Sequence, residues 1–354
     1  MTLSALDPEA LRRLLRALEH VTRSLLAPPP LEVDRTPRCP VDSRGRVTLS
    51  RFQGGTPSHG VPVLLVPALM VRPYLFDLRP GHSLAGHLLG RGFDVFLLDF
   101  GVPDEADARL RLGDYAFSFL PWALQAVARV RGAPGATLVG YCTGGLFSLL
   151  AAAGREPGVR NLVLLACPVD FQKMGLLHRV TRRYHRQLLA LIDQVGYVPG
   201  FLPSLAVEAA DPLGSLVRHS SLLRPAQDPE ERRRRQALSR WLHDLVPGPR
   251  DAWKEFLRTF VVENALTRRR FALGDRVLDL GEVRCPVLAM AGRRDPIAPV
   301  EAARGILDLV GSDDRTFAEV PGGHVGLVAG SSAPRTTWTP LTSWLEARSA
   351  SSAS

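Results

Sequence analysis

Long apolar runs are missing from this 354-residue sequence. No stretch approaches the ~18 to 20 uninterrupted apolar residues that a membrane-spanning helix needs, and even residues 61–70 are broken by proline; no transmembrane segment is expected. A charged-then-apolar signal pattern is also lacking, because Asp7, Glu9, Arg12 and Arg13 interrupt the first apolar positions. Cysteine is scarce. The four present, Cys39, Cys142, Cys167 and Cys285, are too scattered for a disulfide framework, and none forms a CxxC pair of the kind that holds zinc. A reducing cytoplasm fits this usage and leaves each thiol free to act as a nucleophile. Lysine is nearly absent: of 44 basic residues only Lys173 and Lys254 are lysines, so the net charge of +9 is carried by arginine. The arginines are spread along the chain. Their densest cluster, at 232–235, follows Glu230 and Glu231 and reads as a solvated helix face, and no basic motif with interleaved aromatics suggests nucleic acid. The same charge suits an anionic ligand such as a nucleotide-bearing thioester. Internal repeats are absent, and the short Ser/Ala tail at 349–354 is the one biased tract.

What remains is 45% hydrophobic and 22% charged, enough to bury a large core in one large domain or two. Leu6, Leu11, Leu14, Leu15, Leu18, Val21 and Leu25 recur at three- and four-residue steps, which predicts an amphipathic helix within residues 1–30, ended by Pro28, Pro29 and Pro30. It can dock on its own core or on a partner. A short strand signal at 47–52 follows. Continuous apolar runs at 61–69, 93–100, 136–141, 161–167 and 286–291 have the length and β-branched content of buried parallel strands, and helical patterns at 83–89, 115–130 and 145–153 lie between several of them. Strand–helix alternation of this kind predicts an α/β fold with a mostly parallel, doubly wound sheet. Residues 171–270 break the rhythm, being proline-punctuated, arginine-rich and helical. They are expected to form a helical cap between two parts of the core, 31–170 and 271–348.

The chemistry concentrates at Gly140-Tyr141-Cys142-Thr143-Gly144-Gly145, directly after a strand pattern and directly before a helix pattern. That context is a nucleophile elbow, a tight turn in which small residues two places either side let the backbone cross closely, here with sulfur as the reactive atom. A buried small cysteine beside a glycine-rich helix start is the alternative. A helix amino terminus favours a thiolate, and the thiolate needs a base. In the hydrolase order nucleophile, acid and histidine follow one another along the chain. Asp295 stands in the turn after the run at 286–291. His324 stands in the glycine-bracketed loop Pro321-Gly322-Gly323-His324-Val325-Gly326, after a final short strand signal at 316–320. Taken singly, Asp295 could be a turn cap and His324 a surface loop residue. Asp99 is a rival acid, but it precedes the nucleophile and breaks the order. The expected oxyanion donors are the backbone amides of Thr143 and Met70, and the Met70 side chain is expected to line the pocket.

These residues resemble polyhydroxyalkanoate synthases, in particular the short type that works with a second subunit, on an α/β-hydrolase fold. The resemblance runs over nearly the whole chain: Val66-Pro67-Ala68-Leu69, Asp77-Leu78-Arg79-Pro80, Arg91-Gly92-Phe93-Asp94-Val95, the cysteine box, Pro168-Val169-Asp170-Phe171, Trp241-Leu242-His243-Asp244, Arg284-Cys285-Pro286 and the loop of His324. It implies a cytoplasmic acyltransferase that moves (R)-3-hydroxyacyl units from CoA thioesters to a growing polyester. Cys142 would be the nucleophile, His324 its base, and Asp295 the acid assisting activation of the substrate hydroxyl. The resemblance further implies no cofactor or metal, a polyester granule as surroundings, a homodimer and a second synthase subunit. Pro296 stands where the family commonly has histidine, Phe100 where it has tryptophan, and Met70-Val71 where it has valine or isoleucine with asparagine. Two other readings stay open: a thioesterase or polyester hydrolase of the same superfamily, and a non-catalytic granule-binding relative.

Overall fold

The computed structural model describes residues 33–132, 134–202 and 229–349, together with residues 9, 12, 13 and 15. Eight strands build one sheet: β1 (Arg38–Arg44), β2 (Val47–Phe52), β3 (Val63–Val66), β4 (Val95–Asp99), β5 (Ala136–Tyr141), β6 (Val159–Leu165), β7 (Val287–Gly292) and β8 (Arg315–Val320). Their order across the sheet is β1-β2-β4-β3-β5-β6-β7-β8. Strands β3 to β8 pair parallel, and β1 and β2 add an antiparallel edge. Strands β3, β5 and β7 are buried at every position, as expected of strands covered on both faces, where an apolar run replaces alternation. Two apolar layers result, one on each face, so that Leu138 packs into one and Val139 into the other.

The crossovers are helices α1 (Leu84–Gly90), α2 (Leu120–Arg131) and α3 (Thr143–Ala153). The Ser83 hydroxyl caps α1 by accepting from Gly86 N–H at 2.8 Å. Gly132, at φ 65°, stops α2 in the left-handed region that favours glycine. Helix α3 is buried from Gly144 to Ala153. An all-round apolar helix of this kind belongs at the centre of a fold rather than on its surface.

Between β6 and β7 the chain leaves the sheet for α4 (Gly175–Arg183), α5 (His185–Val195), α6 (Pro229–His243) and α7 (Arg250–Phe256), joined by the short pairing of Tyr197–Val198 with Gly248–Pro249. Two features were not anticipated. Strand β1 has no apolar run to announce it, because it is an outer strand carrying Pro40 and a bulge between Pro40 and Asp42. A hairpin, Arg270–Leu273 with Arg276–Asp279, crosses position 270, and Gly274 at φ 57° makes its two-residue turn. The amino-terminal amphipathic helix lies mostly outside the described residues. Glu9, Arg12, Arg13 and Leu15 are helical, and Arg12 Nε donates to the Val195 carbonyl at 2.9 Å.

Candidate active site

Glycine lets the elbow close. A Cβ on Gly144 would lie 2.3 Å from the carbonyl oxygens of both Val66 and Pro67, and one on Gly140 would lie 2.5 Å from the Cα of Gly145. Between them Cys142 holds φ 51° and ψ −118°, a strained conformation for a residue with a side chain. Its N–H donates to the Leu165 carbonyl at 2.9 Å and its own carbonyl accepts from Leu146 N–H at 3.1 Å, so the strained turn is tied to β6 on one side and to α3 on the other. The thiol is half-buried at the amino terminus of α3.

The loops after β7 and β8 bring the other two groups. His324 Nδ1 meets Asp295 Oδ2 at 2.8 Å, and the other carboxylate oxygen, Oδ1, accepts from the N–H groups of Ile297 and Ala298, each at 2.8 Å. The Asp295 side chain is wholly buried and its oxygens are engaged, so the carboxylate holds the imidazole and has no free oxygen facing the cavity. Burial alone would depress the His324 pKa. The charge of Asp295 and then that of Cys142, with hydrogen bonds from both, outweigh burial and raise it to about 10. With Nδ1 given to Asp295, Nε2 is the nitrogen left for the sulfur. Asp99, the rival acid, instead caps its own turn, accepting from Gly101 N–H at 2.8 Å.

The expected oxyanion donors differ in their surroundings. Thr143 opens α3, where first-turn amides have no partner within the helix. Its hydroxyl accepts from Leu69 N–H at 2.8 Å and pins the loop after β3 against the elbow. The Leu69 amide is thereby spent. The Met70 N–H has no acceptor among the described residues, while the Met70 carbonyl takes Val246 N–H at 3.0 Å. The Met70 side chain lines the pocket beside Cys142 and Thr143.

Cys142 and His324 open on a cavity of about 500 Å3 whose walls are almost wholly apolar, supplied by the elbow, by α4 and α5, and by Trp253 and Leu257. Its size falls within the ordinary range of ligand sites. Helix α4 turns Leu177, His178 and Thr181 inward, and His178 Nε2 lies 3.0 Å from the Val261 carbonyl. These lining residues were missed in the sequence because a helical period shows that a face is apolar, not what it faces. Tyr141 has no role in the box pattern beyond its place before the cysteine. Its ring centroid lies 5.2 Å from that of His324, its hydroxyl is buried without a hydrogen-bond partner, and burial pushes its pKa well up. Burial raises Cys167 strongly and Cys285 to about 11.

Sheet order, elbow and cysteine–histidine–aspartate placement define an α/β-hydrolase-fold protein with a thiol in the nucleophile position. Residues 62–330 match a family model described as alpha/beta hydrolase fold. The monoacylglycerol lipase of Paleococcus ferrophilus superposes with a TM-score of 0.54 at 18% identity, over 85% of this chain and 99% of that one. Among curated relatives, the poly(3-hydroxyalkanoate) polymerase subunit PhaC of Synechocystis sp. is 30% identical over 329 residues, 90% of this chain and 86% of the relative. That of Allochromatium vinosum is 29% identical over 339 residues, 94% of this chain and 95% of the relative. The chain belongs to the PhaC family of poly(3-hydroxyalkanoate) polymerases.

Proposed function

We propose that the protein is a poly(3-hydroxyalkanoate) synthase in which Cys142 carries the acyl unit between CoA and polymer. The observation that supports this most is the buried imidazole, fixed by Asp295, set beside a strained cysteine that lines an apolar cavity. His324 takes the Cys142 proton, and the thiolate attacks the carbonyl carbon of (R)-3-hydroxyacyl-CoA. The amides of Thr143 and Met70 receive the oxyanion. The tetrahedral adduct collapses by breaking the bond to CoA sulfur, and CoA leaves as the thiol with the proton held by His324. Thioester exchange between two sulfurs is nearly isoenergetic, which a serine oxygen would not allow. A 3-hydroxyl then gives its proton to His324 and attacks the enzyme thioester. The new ester bond forms as the Cys142 sulfur leaves and recovers that proton.

Asp295 acts through His324, since both of its oxygens are already hydrogen-bonded. CoA thioester is the substrate, and the chemistry calls for no cofactor. The relatives' printed names are those of polymerase subunits, which supports work beside a second chain. Homodimerisation and residence on the polyester granule in the cytoplasm belong to the same reading.

Purified protein given 3-hydroxybutyryl-CoA, alone or with a second subunit, is expected to release free CoA and deposit insoluble polyester. CoA release with free acid and no oligomer by mass spectrometry would assign the protein to the hydrolases instead. No CoA release from any acyl-CoA would leave the granule-binding reading.

A further inference from the structure

Several arginines of the sheet domain face a carboxylate: Arg51 and Arg131 share Asp94, Arg91 meets Glu346, Arg348 meets Asp314, and Arg155 meets Glu282. In the cap, four arginines without such a partner lie close together in the chain. Arg179, Arg182, Arg183 and Arg186, on α4 and at the start of α5, are exposed, and none has a carboxylate partner among the described residues. The nearby acids are already taken, Asp170 by Lys173 and Asp193 by Lys254. Four uncompensated charges within eight positions repel one another, a cost that an anionic ligand removes.

The position of this patch gives it a role. Helix α4 is the element that turns Leu177, His178 and Thr181 into the cavity above Cys142. By the 3.6-residue period Arg182 stands at the edge of that lined face, and Arg179 and Arg183 continue round the outside. Tyr184 is 52% exposed, and the Arg183 guanidinium lies over it at 5.7 Å from the ring centroid. An aromatic face flanked by guanidinium groups suits a purine with phosphates attached.

We infer that the arginine patch of α4 and α5 binds the 3′-phosphorylated adenosine diphosphate end of the CoA thioester, with Tyr184 as the surface for adenine, while the acyl end enters the cavity below. The inference rests on the reading of Cys142 as acceptor of a CoA-borne acyl group. Arginine rather than lysine suits the task, because its planar fork takes two phosphate oxygens at once.

The test compares wild type with the Arg179→Gln/Arg182→Gln/Arg183→Gln variant on two thioesters of one acyl group, 3-hydroxybutyryl-CoA and 3-hydroxybutyryl-pantetheine, which lacks the nucleotide. KM for the CoA ester should rise about tenfold or more in the variant, with kcat and all constants for the pantetheine ester unchanged. Equal behaviour of wild type and variant, or an equal loss on both esters, overturns the inference. Calorimetric binding of adenosine 3′,5′-bisphosphate and of free CoA decides the matter without acyl transfer. Binding by wild type that the variant weakens supports the patch. Equal binding, or none by wild type, overturns it. If neither thioester reacts while the nucleotide binding is arginine-dependent, the acyl-transfer reading fails and the nucleotide site stands. If the variant instead loses association with polyester granules at unchanged KM, the patch serves the granule surface and the inference fails.

Discussion

At the residue scale the cysteines differ in their surroundings. Burial raises Cys167 and Cys285, so neither supplies much thiolate at neutral pH. Cys142 is half-buried beside an imidazole held by a carboxylate. Iodoacetamide at pH 7 is therefore expected to alkylate Cys142 first, as read by peptide mass spectrometry, and preferential labelling of Cys285 would contradict the assignment. Asp295→Asn keeps the shape but loses the charge that holds His324. By analogy with serine triads it should lower turnover by roughly a hundredfold to ten-thousandfold, with the protein still folded by circular dichroism. His324 also gives a pH prediction. Its folded pKa is raised above the ordinary histidine value, so the stability it contributes is fully present below about pH 6.5 and is lost as pH rises through about 10. Melting curves of wild type and His324→Gln should therefore converge between neutral pH and about 10; a gap that widens with pH would contradict the ion pair.

At the scale of elements, the elbow depends on backbone contact. Gly144→Ala forces a methyl to within 2.3 Å of two backbone oxygens, which can only be relieved by moving β3 or α3. Loss of soluble folded protein or of activity is expected, whereas Gly90→Ala, with nothing within 4 Å of the new methyl, should be near neutral in melting temperature. Thr143→Val leaves Leu69 N–H without its acceptor and should cost about 1–3 kcal/mol in urea denaturation. Strands β3, β5 and β7 were legible because burial on both faces leaves an unbroken apolar run. Strand β1 was not, since an edge strand needs no such run and its register is set by pairing with β2. Cys142, His324 and Asp295 could be read because loop chemistry and chain order mark them. That both Asp295 oxygens are engaged, or that the acids near the four cap arginines are already taken by lysines, depends on neighbours distant in the chain and was beyond the sequence.

For the whole molecule, the site exists only where cap and sheet meet. Phe260 belongs to the apolar layer that runs from the sheet into the cap: it is fully buried, stacked on Phe171 with centroids 6.2 Å apart and edge-on to Phe256 and Phe271 at 5.9 and 6.1 Å. Phe260→Ala should cost about 3–5 kcal/mol. In a variant that keeps Trp253 as its only tryptophan, the fluorescence of Trp253 and the far-ultraviolet circular dichroism should lose signal at one urea midpoint, and two separated midpoints would show a cap that unfolds alone. The account as a whole requires a covalent acyl group on one sulfur. Brief incubation with 3-hydroxybutyryl-CoA, acid quench and peptide mass spectrometry should find the 3-hydroxybutyryl mass on the peptide containing Cys142 and nowhere else. Polymer formation by Cys142→Ala, or an adduct confined to another residue, would contradict it.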